Sequence, residues 1–452
     1  MNETAQLAAR VAAAHFDNIP AAAVEVSKQA ILDFIGVTVA GMSEPLSVML
    51  RDEAREQGGH AQATVFATGE RVNVVQAALI NGAAGHAHDY DDVQSAMTGH
   101  PTVPVAPAVL ALAEHRGHSG AEVISAYATG VDSECIVARF VGPSHYQQGW
   151  HSTGTLGTFG AAAAASHLLG LDAAQTATAL GIAGTQAAGL KAQFGTMCKP
   201  LHAGHAAATG VRAANLAARG FSSRPDILET AQGFAETQSA AADPQQFARA
   251  LAQPAYAQDI LFKYHAACYL THSAIEATAQ LCAQNLFHPQ QIERVNVQVD
   301  RGHFRVCNIQ TPSTGLEAKF SLRFTVAMTL AGVDTSGIDI FTDALTRDPT
   351  LVELRDKIQV TAHDTASGEP VANGDTRVSI TTTDGQTFTQ DCNVGIPVRN
   401  LPQQWEKLER KFNALVAPRL GAQTSAEIIV LCRSLETLDD LAPLFRLLSP
   451  TC

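Results

Sequence analysis

The sequence predicts a mainly α protein: a large all-helical domain formed by both chain ends, with a smaller α+β lid domain inserted. Three observations lead there. Apolar residues recur at helical spacing through about residue 262, period-two alternation begins only after Leu286, and helical spacing returns from about residue 402. A chain of 452 residues is too long for one ordinary core, so more than one domain is expected.

The elements follow in order. Ala21 to Ala40 places Val24, Ile31, Phe34, Ile35 and Val39 on helical spacing behind Pro20, a residue suited to a helix start. Val74 to His86, Val103 to His115, Gly120 to Val137, Gly154 to Leu169 and Asp172 to Leu190 carry the same pattern, as does Ala206 to Arg219, closed by Gly220. Ile292 to Asp300 then alternates through Val295, Val297 and Val299, and Ile358 to Ala362 reads as a second strand. Arg377 to Thr383 and Thr387 to Gln390 flank Asp384-Gly385, a hairpin signal, while Leu316 to Leu330 between the strands looks helical. Trp405, Leu408, Phe412 and Leu415, then Ala426 to Leu435, return to helix. The expected domains are a helical part over 1–265, an α+β lid over 266–400 and a helical return over 401–452, with a cleft between two domains as the natural ligand site.

Composition excludes several classes. With 46% hydrophobic and 16% charged residues the chain is neither disordered nor a coiled coil, and 6% aromatics among many alanines suggests closely packed helices. A formal charge of -13 with no Lys/Arg cluster argues against nucleic acid, so any anion site must be a local device of a lysine, a histidine or a helix N-terminus. Eight cysteines without a CxxC pair point to reduced thiols and a cytoplasmic location. No signal peptide and no membrane span is read, and no GxGxxG after a strand, P-loop or GxSxG occurs, so nucleotide cofactors and a serine nucleophile have no support.

Four segments could carry chemistry. His86 to Asp92 packs two histidines, three aspartates and a tyrosine into seven residues, with His100 following. Acids crowded beside histidines shift pKa values both ways, as acid–base work needs, although a capped polar helix end would read the same. A metal at His86-x-His88 plus an aspartate is disfavoured because no second cluster with ligand spacing supplies the remaining ligands. His151, Ser152 and Thr153 precede an alanine helix, whose start could take a carboxylate or could simply be capped by Ser152 or Thr153. Lys199 before Pro200 could clamp a carboxylate from a first helical turn, or lie solvated on the surface. Lys263 and Tyr264 stand where the helical pattern is about to give way.

Taken in order, these segments resemble the MmgE/PrpD family, which includes 2-methylcitrate dehydratase, cis-aconitate decarboxylase and iminodisuccinate epimerase. The matching stretches are Asn81 to Asp92 (NGAAGHAHDYDD), His100-Pro101, His151 before Gly154 to Gly157 (GTLG), Lys199 to Gly204 (KPLHAG), Lys263-Tyr264, and Glu317 to Phe324 (EAKFSLRF). The resemblance implies the two-domain helical fold with its inserted lid, a homodimer, and catalysis without metal or organic cofactor. It places active-site positions at Asp89, His100, His151, Lys199 and Lys263, with His86, Tyr146, Ser152, Thr153 and Tyr264 expected to contact a small di- or tricarboxylate.

Two departures bear on the reaction. Val93 stands where dehydratase and decarboxylase members carry threonine, and Phe324 where they often carry tyrosine, so two hydroxyls are missing. The expected chemistry is proton removal α to a carboxylate, with the aci-carboxylate held by Lys199, Lys263 and helix amides. The missing hydroxyls favour epimerisation of an iminodisuccinate-like compound, ahead of a hydro-lyase or decarboxylase. An inactive helical scaffold is the non-enzyme alternative, against which the retained Asp, His and Lys set speaks.

Overall fold

The computed structural model describes residues 2–253, 255–284, 286–362 and 376–450. The chain divides into two compact units, Met1–Phe262 with Arg399–Cys452, and Lys263–Val398.

The first unit is helical apart from a short ribbon of β1 (Ala63–Thr64) and β2 (Arg71–Val72). Its helices relevant here are α1 (Ala21–Gly41), α2 (Val74–Gly85), α3 (Thr102–Arg116), α4 (Gly120–Val141), α5 (Ser152–Leu168), α6 (Cys198–Ala217) and, from the C-terminal segment, α9 (Leu401–Leu420). The alanine and glycine content is what lets these helices approach. Ala161 to Ala165 of α5 are fully buried, and a Cβ on Gly130 of α4 would come within 2.9 Å of the Gly160 carbonyl of α5. A very close approach joins α2 to α6: a Cβ on Gly204 would lie 2.1 Å from the Leu79 carbonyl, and one on Gly82 would lie 2.9 Å from Gly204 Cα. Both glycines belong to the motifs NGAAG and KPLHAG, so the motifs dock two helices as well as presenting side chains. No single helix among the described residues is long and apolar enough to cross a membrane.

The second unit contains α7 (His272–Ala283), α8 (Leu322–Leu330) and a four-stranded sheet of order β4-β3-β5-β6. Central β3 (Ile292–Val299) pairs parallel with β4 (Ile358–Ala362) and antiparallel with β5 (Thr376–Thr382), which pairs with β6 (Thr387–Cys392). The register aligns Val297 with Val360 and Val378, so one sheet face is apolar and buries against Leu281, Leu322, Val326 and Leu330. The hairpin turns where Asp384-Gly385 predicts, with Gly385 at φ 83°.

Several boundaries differ from the sequence expectation. Helix α6 begins at Cys198, not Ala206, because the Thr196 hydroxyl accepts from Cys198 N at 3.2 Å and Pro200 fits the first turn. The helix expected over Asp172 to Leu190 ends at Gly184, ahead of Gly189 at φ 142°. The expected helix Leu316 to Leu330 breaks at Ser321, which takes an extended conformation and caps α8 by accepting from Phe324 N. The seven cysteines among the described residues are free thiols, and Cys452 lies outside them.

Candidate active site

Four helix ends meet around the loop that joins α2 to α3. His86 is the C-terminal cap of α2, Thr102 opens α3, and the first turns of α5 and α6 supply His151 to Thr153 and Lys199. Within the loop Asp89 sits at φ 52°, in the left-handed region that aspartate tolerates better than most residues. That conformation lifts Asp89 out while its neighbours Tyr90, Asp91 and Asp92 turn inward and are buried.

The exposed edge of this loop forms a charged chain. Asp89 Oδ1 lies 2.9 Å from the Lys199 ammonium and 3.4 Å from His100 Nε2. His100 Nδ1 lies 2.9 Å from the Asp92 carbonyl and 3.0 Å from Asp91 Oδ2. A carbonyl only accepts, so Nδ1 carries the hydrogen and Nε2 is the atom turned to Asp89. Beneath it, Asp91 also receives Nδ1 of His86, at 2.9 and 3.0 Å to its two oxygens. One buried carboxylate therefore orients two imidazoles. Burial alone would raise the Asp91 carboxyl, but His100 and His86 hold it well below the usual carboxylate range.

The adjacent Asp92 has the opposite character. Burial, with Asp33 and Asp91 nearby, pushes its carboxyl well above the ordinary range despite a 2.5 Å bond from the Thr102 hydroxyl. Burial lowers His86 to about 4, so at neutral pH it is an uncharged imidazole. Its Nε2 is buried and has no hydrogen-bond partner among the described residues.

His151 caps α5 through its backbone and makes no side-chain cap bond. Its ring stacks at 5.9 Å on His86, takes the edge of Phe194 at 5.0 Å, and brings Nδ1 to 3.0 Å from Nδ1 of His202. Burial lowers it to about 2, with His86, His100, Lys199 and His202 adding to the effect. Ser152 and Thr153 are first-turn residues of α5 and not its caps, so the alternative of plain capping by either does not hold. Thr153 instead receives the His100 backbone N–H at 3.1 Å, which ties the loop to α5. Their own N–H groups belong to the helix start, which has no intrahelical acceptors to offer.

Tyr146 is half-buried, with the Lys191 ammonium 3.6 Å above its ring, and burial together with the Asp89 charge raises its phenol. His88 lies 3.6 Å from Glu44. Lys263 and Tyr264 are buried residues of the second unit, where the Lys263 charge acts on His272. The structure thus gathers Asp89, His100, His151, Lys199 and His86 within the first unit.

Sequence reasoning overlooked two members, Asp91 and His202. Asp91 sat in a run of three acids with no period to say which faces inward. His202 stands three residues after Lys199 on α6, a spacing that puts both on one face and would have pointed to it.

A metal is not disfavoured by a shortage of ligands, contrary to the expectation from sequence spacing. Donor atoms of His86, Asp89, Asp91 and His100 lie within 4.8 Å of one another, a set that could hold a cation. The fold supplies the remaining ligands that sequence spacing did not. The stronger argument against a dication is electrostatic: the Lys199 ammonium already stands 2.9 Å from one of the four donors.

Comparisons with known proteins agree over nearly the whole chain. Residues 5–247 match the MmgE/PrpD N-terminal domain and residues 265–437 the MmgE/PrpD C-terminal domain. The chain is 28% identical over 443 residues to cis-aconitate decarboxylase of Homo sapiens, covering 94% of this chain and 90% of that one. It is likewise 28% identical over 457 residues to cis-aconitate decarboxylase of Aspergillus terreus, at 96% and 93% coverage. A cis-aconitate decarboxylase-like protein of Aspergillus oryzae is 30% identical over 296 residues, 62% of this chain and 61% of that one.

Proposed function

Because the chain belongs to the MmgE/PrpD family, we propose that it is an enzyme acting on a small di- or tricarboxylate by proton transfer at a carbon next to a carboxylate, with a lyase outcome. The observation that carries this reading is the grouping of the Lys199 ammonium, the Asp89 carboxylate and the uncharged imidazoles of His86 and His151 at three helix ends.

Each part has a role in such a reaction. Lys199 and the first-turn amides of α5 hold a substrate carboxylate and the negative charge that develops on it. A neutral imidazole removes a proton from the α carbon, and the electron pair passes into that carboxylate. Expulsion of hydroxide, with a proton from the acid, gives dehydration. In decarboxylation the electron pair left by departing CO₂ is delocalised in the same way, and His100 or His151 returns a proton to carbon. Both routes use the chain's own acids, bases and ammonium.

The lyase outcome is favoured by the decarboxylases that match at 28% identity over more than nine tenths of the chain. Epimerisation of an iminodisuccinate-like compound is the second reading, favoured by the side chain at position 93. Val93 is half-buried and paired through its backbone with Leu261, and it offers no hydroxyl to a substrate. Phe324 weighs less, because its ring is fully buried.

Incubation with cis-aconitate, 2-methylcitrate and iminodisuccinate in D₂O separates the readings. Loss of CO₂ or water supports the lyase. Deuterium at an α carbon of a compound of unchanged formula supports the epimerase. A folded protein that exchanges and converts none of the three would sink both.

A further inference from the structure

We propose that His202 sets and resets the protonation of His151, so that the pair alternates between a base-ready and an acid-ready state; the idea rests on the proton-transfer reading above. The contact that carries it is unusual in its atoms. Nδ1 of His151 and Nδ1 of His202 face each other at 3.0 Å, with ring centroids 5.3 Å apart and tilted by 54°. Two imidazole nitrogens at that distance need one hydrogen between them, since two lone pairs or two N–H groups would repel. The tautomer of one ring therefore dictates that of the other.

The contact is built into the backbone. A Cβ on Gly189 would fall 3.2 Å from His202 Cγ and Nδ1, and one on Gly154 would fall 3.1 Å from His202 Cβ. Glycine at both positions leaves the space that the His202 ring fills. The Gly189 carbonyl, at 3.0 Å, also accepts the backbone N–H of His151. The two rings differ in access: His151 is 2% exposed, whereas His202 is only half-buried. Burial and the neighbouring His205 keep His202 on the neutral side.

The proton path balances. In the base-ready state His151 carries hydrogen on Nδ1, donates it toward His202 Nδ1, and has a lone pair on Nε2. When Nε2 takes a substrate proton, the Nδ1 hydrogen crosses to His202, whose Nε2 hydrogen leaves to water. His151 is then neutral with hydrogen on Nε2, ready to act as an acid. Donation from Nε2 reverses each step, and His202 regains a proton from water at Nε2. His202 is a positioning residue in this scheme, since it acts only through His151.

The test uses the full-length protein with His202→Ala and His202→Asn. Expected is a loss of kcat of about 100-fold with KM nearly unchanged, and restoration of His202→Ala by added imidazoles in proportion to their basicity. Wild-type kcat in either variant, or equal restoration by imidazole and by non-basic pyrrole, would overturn the proposal.

Nitrogen-15 NMR of the histidines tests the pairing without substrate and without the variants. In the wild type one Nδ1 of the pair is protonated and the other is not. Two protonated or two unprotonated Nδ1 atoms would end the proposal, even if the variants fail to fold. Absence of exchange by the wild type with all three acids would be a failure of the functional reading alone, and the tautomer measurement would still decide this one.

Discussion

The Lys411 ammonium lies 2.6 Å from the Asp33 carboxylate and donates at 2.8 Å to the carbonyl of Tyr90, the residue after Asp89. Lys411 is fully buried on α9 and Asp33 nearly so on α1, and the ammonium also sits 4.0 Å from the Tyr90 ring centroid. A buried ion pair thus braces the loop from behind. Removing one partner strands the other charge, whereas removing both does not. Lys411→Met is expected to cost about 3–5 kcal/mol in urea denaturation. The double variant Asp33→Leu with Lys411→Met should recover most of that, and a double variant as unstable as the single one would contradict the account.

Lys199→Ala and His151→Ala are expected to lower kcat by about 100-fold or more while leaving the melting temperature close to wild type. Both residues lie at helix starts, His151 as the N-terminal cap of α5 and Lys199 in the first turn of α6, and neither side chain makes a cap hydrogen bond to its helix. A large loss of stability in either would mean that a structural residue has been taken for a catalytic one.

His86 predicts a pH dependence with a definite sign. Its folded pKa, about 4, is below the unfolded value of about 6.5, so protonation favours the unfolded chain. Its contribution is complete above pH 6.5 and is lost progressively as pH falls toward 4. Asp92 and Glu134, whose carboxyls are raised by burial, act in the opposite sense, so a difference measurement is needed. The stability gap between wild type and His86→Asn should narrow by about 2 kcal/mol from pH 6.5 to pH 5. A constant gap would show that His86 does not lose its charge on folding.

Gly204→Ala is expected to lose both stability and kcat. The added Cβ would lie 2.1 Å from the Leu79 carbonyl, so α6 must move away from α2. Overpacking of this kind costs about 1–3 kcal/mol or more, and it carries Lys199 away from Asp89. Gly421→Ala, at a position with nothing within 4 Å, serves as a control for the added methyl group despite its φ of 89°, and should cost less.

Dialysis against EDTA should leave turnover unchanged. Loss of activity, restored by one divalent cation, would assign the grouping of His86, Asp89, Asp91 and His100 to a metal and displace Lys199 from its proposed role.

Much of the helical framework was legible because its apolar spacing is regular, and the polar segments at residues 86–100, 151–153 and 199 stood out against an alanine-rich background. What stayed illegible has physical reasons. The loop holding Asp89 has no period, and its left-handed residue reverses the side-chain directions that spacing would suggest, so Asp91 could not be picked as the buried acid. Helix starts were misplaced at α5 and α6 because small polar and proline residues belong to first turns as readily as to loops. The partnership of Asp33 and Lys411 spans most of the chain, and no local pattern signals it.

That long span has a consequence for synthesis. Every acid–base side chain of the gathered cluster has been translated by residue 202, yet the brace behind Asp89 comes from residue 411. A chain still growing on the ribosome therefore holds its reactive groups for some two hundred residues before the loop bearing them is braced. Competence should appear late and abruptly, as α9 docks, and a chain ending before Leu401 should possess the cluster without its working geometry.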